Sequence, residues 1–129
     1  MLGNSSAPGR AISTPPWPPS GRASNAAART AGKEPPAHAD TEQTIDDARA
    51  RIATVVAYLE TFKASDFDGV EKRTISNPRW EGKTMTAPDY VVEHAVPNFF
   101  FHLTMTYAIL RHNDVDVGKR DYLGQLSMR

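Results

Sequence analysis

The chain contains no cysteine. Disulfides, thiolate nucleophiles and cysteine-ligated zinc are excluded, and the redox environment is left open. It has no formal net charge, because 15 lysines and arginines balance 15 aspartates and glutamates. A nucleic-acid binder normally carries a basic excess to neutralise phosphates, and no basic run interleaved with aromatics compensates here. No apolar run approaches the roughly 20 residues needed to cross a bilayer. Neither nucleic acid nor membrane is therefore an expected partner, and the expected location is cytoplasmic. No glycine-rich phosphate loop or nucleophile-elbow motif occurs. The acidic run "DFDGVE" lacks the alternating ligands of a calcium loop. With 129 residues, the chain forms one domain at most.

What is present is unevenly distributed. Seven of the ten prolines fall within residues 1–38, in runs such as "STPPWPPSG" and "KEPPAH". Proline lacks a backbone donor and clashes inside helices, so a continuous helix or central strand is excluded there. Large apolar residues are scarce (Leu2, Ile12 and Trp17), leaving little burial to offset chain entropy. Residues 1–24 are accordingly expected to be a disordered, proline- and serine-rich segment. Within 22–32, the alanine-rich "RASNAAARTAG" predicts a short helix stopped at Gly32. The first 33 residues also lack acids, as transit peptides do, but the proline clusters oppose the amphipathic helix that a transit peptide needs.

Beyond this segment the periodicity is helical. In "DTEQTIDDARARIATVVAYLETF", Ile45, Ala48, Ile52, Val55, Leu59 and Phe62 recur at spacings of three and four. Asp40 or Thr41 is the expected cap, with Gln43 at capping-box spacing from Asp40. Arg49 and Arg51 are expected on the solvated face. Arg73–Ser76 and Lys83–Thr86, separated by Asn77–Pro78 and Gly82, read as a hairpin with Trp80 near its tip. Such a ribbon is barely stable alone, so it should lie against the helices. Thr86 and Asp89 cap a second long helix ending near Arg111–Asn113, in which Pro97 should cause a kink. Phe99 and Phe100 are expected in the core, with Phe101 toward a partner. A short packed segment follows around Tyr122 and Leu123. The pattern is all-α: two long helices, one short N-terminal helix and a small β-hairpin before the last helix.

Three stretches, "AAARTAGKEPPAHADTEQT", "YVVEHAVPNFFFHLTMTYAILRHND" and "VGKRDYLG", resemble a mainly bacterial family, domain-of-unknown-function family 1993, within the DinB-like helix bundles. The resemblance covers residues 25–124, leaving 125–129 as a tail. It implies a four-helix bundle with a hairpin before the last helix. Family members begin with two complete helices, which the proline-rich stretch does not match. A truncated or frame-disrupted reading frame is the expected cause, leaving the DinB-like bundle incomplete. The stripe on 45–62 and the Phe99–Leu110 face should then stay partly exposed and drive self-association. The family tends to place glycine where this chain has Asp114, a position that ends the helix in left-handed backbone.

The resemblance also raises a metal question. DinB-like bundles often carry three histidines, one from the second helix and a His-x-x-x-His pair from the last. Residues four apart on a helix stand about 6 Å apart along its axis, so two imidazoles can share an ion. His94 and His102 are eight apart, about 12 Å along the axis, against metal–nitrogen bonds of about 2 Å. Asn98 stands where a pairing histidine is needed, and amide oxygen is a poor transition-metal ligand. His38 lies in the proline-rich loop, and His112 at a helix end where the dipole favours it. No metal or other cofactor is therefore expected, although a divalent ion would be the family's choice. The candidate site is the polar stripe His94, Asn98 and His102, read first as hydrogen-bonded within the bundle. A polar small-molecule pocket is the alternative for that stripe. The functional expectation is a helical-bundle protein with no assignable reaction, non-catalytic or self-associating as a homo-oligomer. The alternative is a metal- or thiol-dependent enzyme with a degenerate histidine site that includes His102.

Overall fold

Proline opens the first helix rather than preventing it. In the computed structural model, which describes residues 18–128, helix α1 spans Pro18–Thr30. Proline is tolerated in a first helical turn, where the missing N–H has no intrahelical partner to lose. Residues 18–24, expected to be disordered, are thus helical. Residues 1–17 of that expected segment lie outside the described residues. The predicted stop at Gly32 is present, with φ +68°. Lys33 N–H donates to the Ala28 carbonyl at 2.8 Å and Gly32 N–H to Arg29 at 3.1 Å, the paired bonds of a Schellman cap. A Cβ on Gly32 would stand 3.0 Å from Arg73 Nε, so space as well as conformation favours glycine. Arg73 Nη1 itself donates to the Thr30 carbonyl, and Arg29 Nη1 donates to the Ser76 carbonyl at 3.1 Å. Two arginines thereby tie α1 to the hairpin.

Helix α2 spans Ile45–Glu60 and is capped later than expected, by Thr44 rather than Asp40 or Thr41. Thr44 Oγ1 accepts from Asp47 N–H at 3.1 Å, and Asp47 Oδ2 accepts from Thr44 N–H at 2.9 Å. This reciprocal pair satisfies two otherwise orphaned donors. Asp40 instead adopts φ +52° and joins an ion cluster. Arg51, expected in solvent, has only 9 % of its side chain exposed and binds Glu42 at 2.6 Å and Asp40 at 3.0 Å. Arg49 does lie on the surface, beside Asp46. The predicted α2 stripe divides: Ala48 and Val55 are buried, whereas Ile45 and Ile52 are exposed.

Strands β1 (Thr74–Ser76) and β2 (Thr84–Thr86) pair antiparallel, with Ile75 opposite Met85. The last long helix, α3, is built from Ala87–Asp89, a π-helical segment Tyr90–Ala95, and Val96–His112. Thr86 caps it as expected, its hydroxyl accepting from Asp89 N–H and donating to the Asp89 carboxylate. The effect of Pro97 is taken up by the wide turns before it. Val96 N–H reaches back five residues to Val91, and the residue without an N–H follows at once. Such π segments occur as single-turn bulges and concentrate at functional sites. The short helix α4, Lys119–Leu123, returns Tyr122 onto α3, where its hydroxyl meets Thr104 Oγ1 at 3.0 Å.

Helix α1 lies in contact with both α2 and α3. Its small side chains permit close approach, and Ser24 and Ala28 are buried along it, with Ala31 just past its end. The main core cluster, Ile75, Ala87, Tyr90 and Ala95, sits where the hairpin meets the start of α3. The molecule is thus mostly helical with one two-stranded ribbon. No helix among the described residues is long and apolar enough to cross a membrane. The Val96–His112 portion of α3 contains no buried residue. Phe100, expected in the core, is exposed with Phe101, and Phe99 is half-buried.

Candidate functional site

Two polar rows face one another across the seam between α1 and α3. On α1, Arg22, Asn25 and Arg29 are spaced three and four apart, so they share one face. On α3, His94 and Asn98 are four apart. With Asn77 and Arg79 from the hairpin tip, these residues line a cavity of about 200 Å³. No acidic side chain lines it. Among the described residues, neither Arg22, Arg29 nor Arg79 pairs with a carboxylate.

The π turns hold His94 in place. Its ring stacks on Tyr90 at 5.3 Å and 18°, and the Trp80 indole meets it edge-on at 5.4 Å. Trp80 reaches this position from the 3₁₀ turn Pro78–Trp80, which Asn77 caps by accepting from Arg79 N–H at 3.0 Å. His94 Nδ1 and Asn25 Oδ1 are both buried without a hydrogen-bond partner among the described residues. His94 Nδ1 thus lacks, among the described residues, the hydrogen bond expected of the stripe. Burial pushes the Tyr90 phenol above its ordinary pKa, while Arg29 and Arg22 pull it the other way. The field of the arginines thus reaches this wall.

His102 does not line the cavity. Burial, and then the charge of Arg22, hold its imidazole below the ordinary value of 6.5. The structure brings His94 and Asn98 together and leaves His102 apart, as the eight-residue spacing indicates. Among the described residues, no three His, Cys, Asp or Glu side chains gather to hold a metal ion. The three arginines that line the same cavity would oppose a cation there. The donor set does not fit the three-histidine centre of DinB-like bundles.

A second hollow backs onto the first. An apolar groove of about 330 Å³ is lined by Ala23, Ala27, Phe67, Val91, Phe99 and Phe100 among others. Ala26 and Ala95 line both hollows, so the α1–α3 seam has one polar side and one apolar side. Elsewhere, Ser24 Oγ stands 3.4 Å from His38 Nε2. Ser24 is fully buried and donates to the Gly21 carbonyl at 3.1 Å, so its hydroxyl cannot meet a substrate.

A family model described as "Domain of unknown function (DUF1993)" matches residues 19–123. The chain belongs to this family. Among solved structures, this DUF1993 chain is similar to a DinB family member protein from Shewanella denitrificans, with 44 % identity and a TM-score of 0.81. The match covers 86 % of this chain and 64 % of that one, so the chain spans less than two-thirds of that protein's length. No curated protein matches it. Sequence reasoning identified His94 and Asn98 but missed Arg22, Asn25 and Arg29. Their signal was present in "RASNAAART", where the polar positions fall at helical spacing among alanines.

Proposed function

We propose that this DUF1993 protein is a non-catalytic, self-associating helical module. On this reading its helices form part of a DinB-like bundle, and a second copy supplies the remaining wall. The observation that carries this is the exposed apolar row Val92, Val96 and Phe100, four apart on one face of α3. A comparable row, Ile45, Ile52 and Val56, is exposed on α2. Contiguous apolar faces of this kind mark interaction surfaces. The balanced charge favours a second copy as partner, since like chains do not repel. Neither nucleic acid nor membrane is needed, and a cytoplasmic location accompanies this reading.

Burying these side chains yields roughly 1–2 kcal/mol apiece. Summed over six, that is comparable with the cost of immobilising a partner, about 4–15 kcal/mol. Association is therefore weak and concentration-dependent. Sedimentation velocity across a hundredfold concentration range tests it. The expected result is a rising weight-average mass, abolished by Phe100→Glu. A chain that remains monomeric throughout and melts cooperatively would reject the proposal.

The alternative, a metal- or thiol-dependent enzyme acting through His102, has less support. His102 and His94 do not converge, and the arginines around His94 disfavour a cation. Stoichiometric zinc or nickel lost on His102→Ala would reverse this preference.

A further inference from the structure

The cavity at the polar side of the α1–α3 seam contains features that packing alone does not explain. Three arginines line a cavity of about 200 Å³ with no acid in its walls. Gathering like charges is unfavourable unless a counter-charge offsets it. The chain is neutral overall, so this local excess reflects placement rather than composition. Arg29 spends one nitrogen on Ser76. The side chains of Arg22 and Arg79 have no hydrogen-bond or ion-pair partner among the described residues. An arginine presents five donors in a planar fork suited to carboxylate or phosphate oxygens.

The uncharged walls supply donors too. His94 Nδ1 is buried and unpartnered, and in the tautomer protonated there it donates. Asn25 Oδ1 is likewise buried and unpartnered. Oxygen and nitrogen of an amide are assigned from their partners, and turning this one over presents an NH₂ group instead. Asn98 contributes a further amide on the His94 face. A buried polar atom left alone loses its hydration without compensation, and an arriving acceptor relieves that cost.

We propose that this cavity is an oxyanion-binding site, with Arg22, Arg29 and Arg79 as cationic anchors and His94, Asn25 and Asn98 as neutral donors. The ligand is small. The volume lies below the roughly 300–1,000 Å³ of pockets for drug-sized molecules, so a phosphate ion or short carboxylate fits better than a nucleotide. The site is one hollow rather than a basic stripe, which separates it from a nucleic-acid surface.

Isothermal titration of the full chain with inorganic phosphate, and separately with succinate, at constant ionic strength tests this. At least one should bind saturably with one site per chain, whatever the oligomeric state. Phosphate alone binding identifies a tetrahedral ligand, and succinate alone a carboxylate. Arg79→Gln, on the exposed hairpin tip, should weaken binding about tenfold or more. Asn98→Asp, which places a carboxylate among the arginines, should abolish it. Arg49→Gln, on the exposed side of α2, should leave it unchanged. Circular dichroism verifies the fold of each variant, and Arg79→Gln decides should Asn98→Asp fail to fold. Absence of saturable binding by both anions, or equal loss in Arg49→Gln, overturns the proposal.

Discussion

At the residue scale, the end of α3 shows a conformational demand met by a second-best residue. Asp114 has φ +58°. Val115 N–H donates to the Leu110 carbonyl and Asp114 N–H to Arg111, so Asp114 occupies the left-handed position of a Schellman cap. Left-handed backbone costs an L-residue roughly 1–2 kcal/mol, somewhat less for Asp and Asn. Asp114→Gly should therefore stabilise the chain by about 1 kcal/mol in urea unfolding, the glycine's greater unfolded-state freedom offsetting part of the gain. The histidines make a pH-dependent contribution. His102 is held below its ordinary value of 6.5 by burial and Arg22, and His38 by burial and Arg51, against Asp40 and Glu42. As pH falls through 6.5, the unfolded chain takes up protons that the native state still excludes. Stability should therefore decrease from pH 7 toward 5.5. Unfolding free energies measured across that window should slope less steeply in His102→Gln.

At the element scale, the ion cluster on α2 shows where sequence patterning was insufficient. Period and turn residues disclosed both long helices, the hairpin, the Thr86 cap and the Gly32 stop, because each depends on neighbours within a few residues. Arg51 depends on tertiary placement. It follows Arg49 by two positions and looks equally solvated, yet α1 and the preceding loop cover it. Arg51→Ala would leave Glu42, itself only 13 % exposed, without its partner. Breaking a buried pair costs about 3–5 kcal/mol, and Asp40 remains largely in water, so about 2–3 kcal/mol is expected. Loss of far-UV helicity at a lower urea midpoint is the readout. The π turns were illegible for a similar reason. Pro97 announces a disturbance, and the Tyr90–His94 stack is a local i,i+4 pair, but the edge-on contact of Trp80 with His94 comes from the hairpin and no local rule supplies it. The candidate site was therefore half visible, with its α3 wall read from the His94–Asn98 spacing. Its α1 wall was missed although a helix over 22–32 was expected, because the packing of that helix against α3 is a tertiary fact that spacing within one helix does not supply.

At the scale of the whole molecule, stability and association are one problem. The buried apolar residues are mainly small: Ala28, Ala31, Ala48, Ala87 and Ala95 against Val55, Ile75 and Tyr90. Folding stability scales with apolar area removed from water, and native domains are only marginally stable to begin with. Many large apolar side chains are instead exposed, Val92 at 71 % and Phe101 at 60 % among them. A partner that covers them binds the folded state and not the unfolded one, so it stabilises by mass action. The midpoint of thermal unfolding should therefore rise with protein concentration. A self-contained fold would melt at one temperature regardless of dilution. Phe100→Glu puts a charge in the α3 row, at its C-terminal end, and should make the midpoint both lower and independent of concentration. Asp114→Gly strengthens the protomer itself, so it should raise the midpoint at every concentration without changing the slope. Calorimetric scans of these three chains between about 5 and 500 µM would separate the contributions, since linkage requires the concentration term only where partners bind the native state.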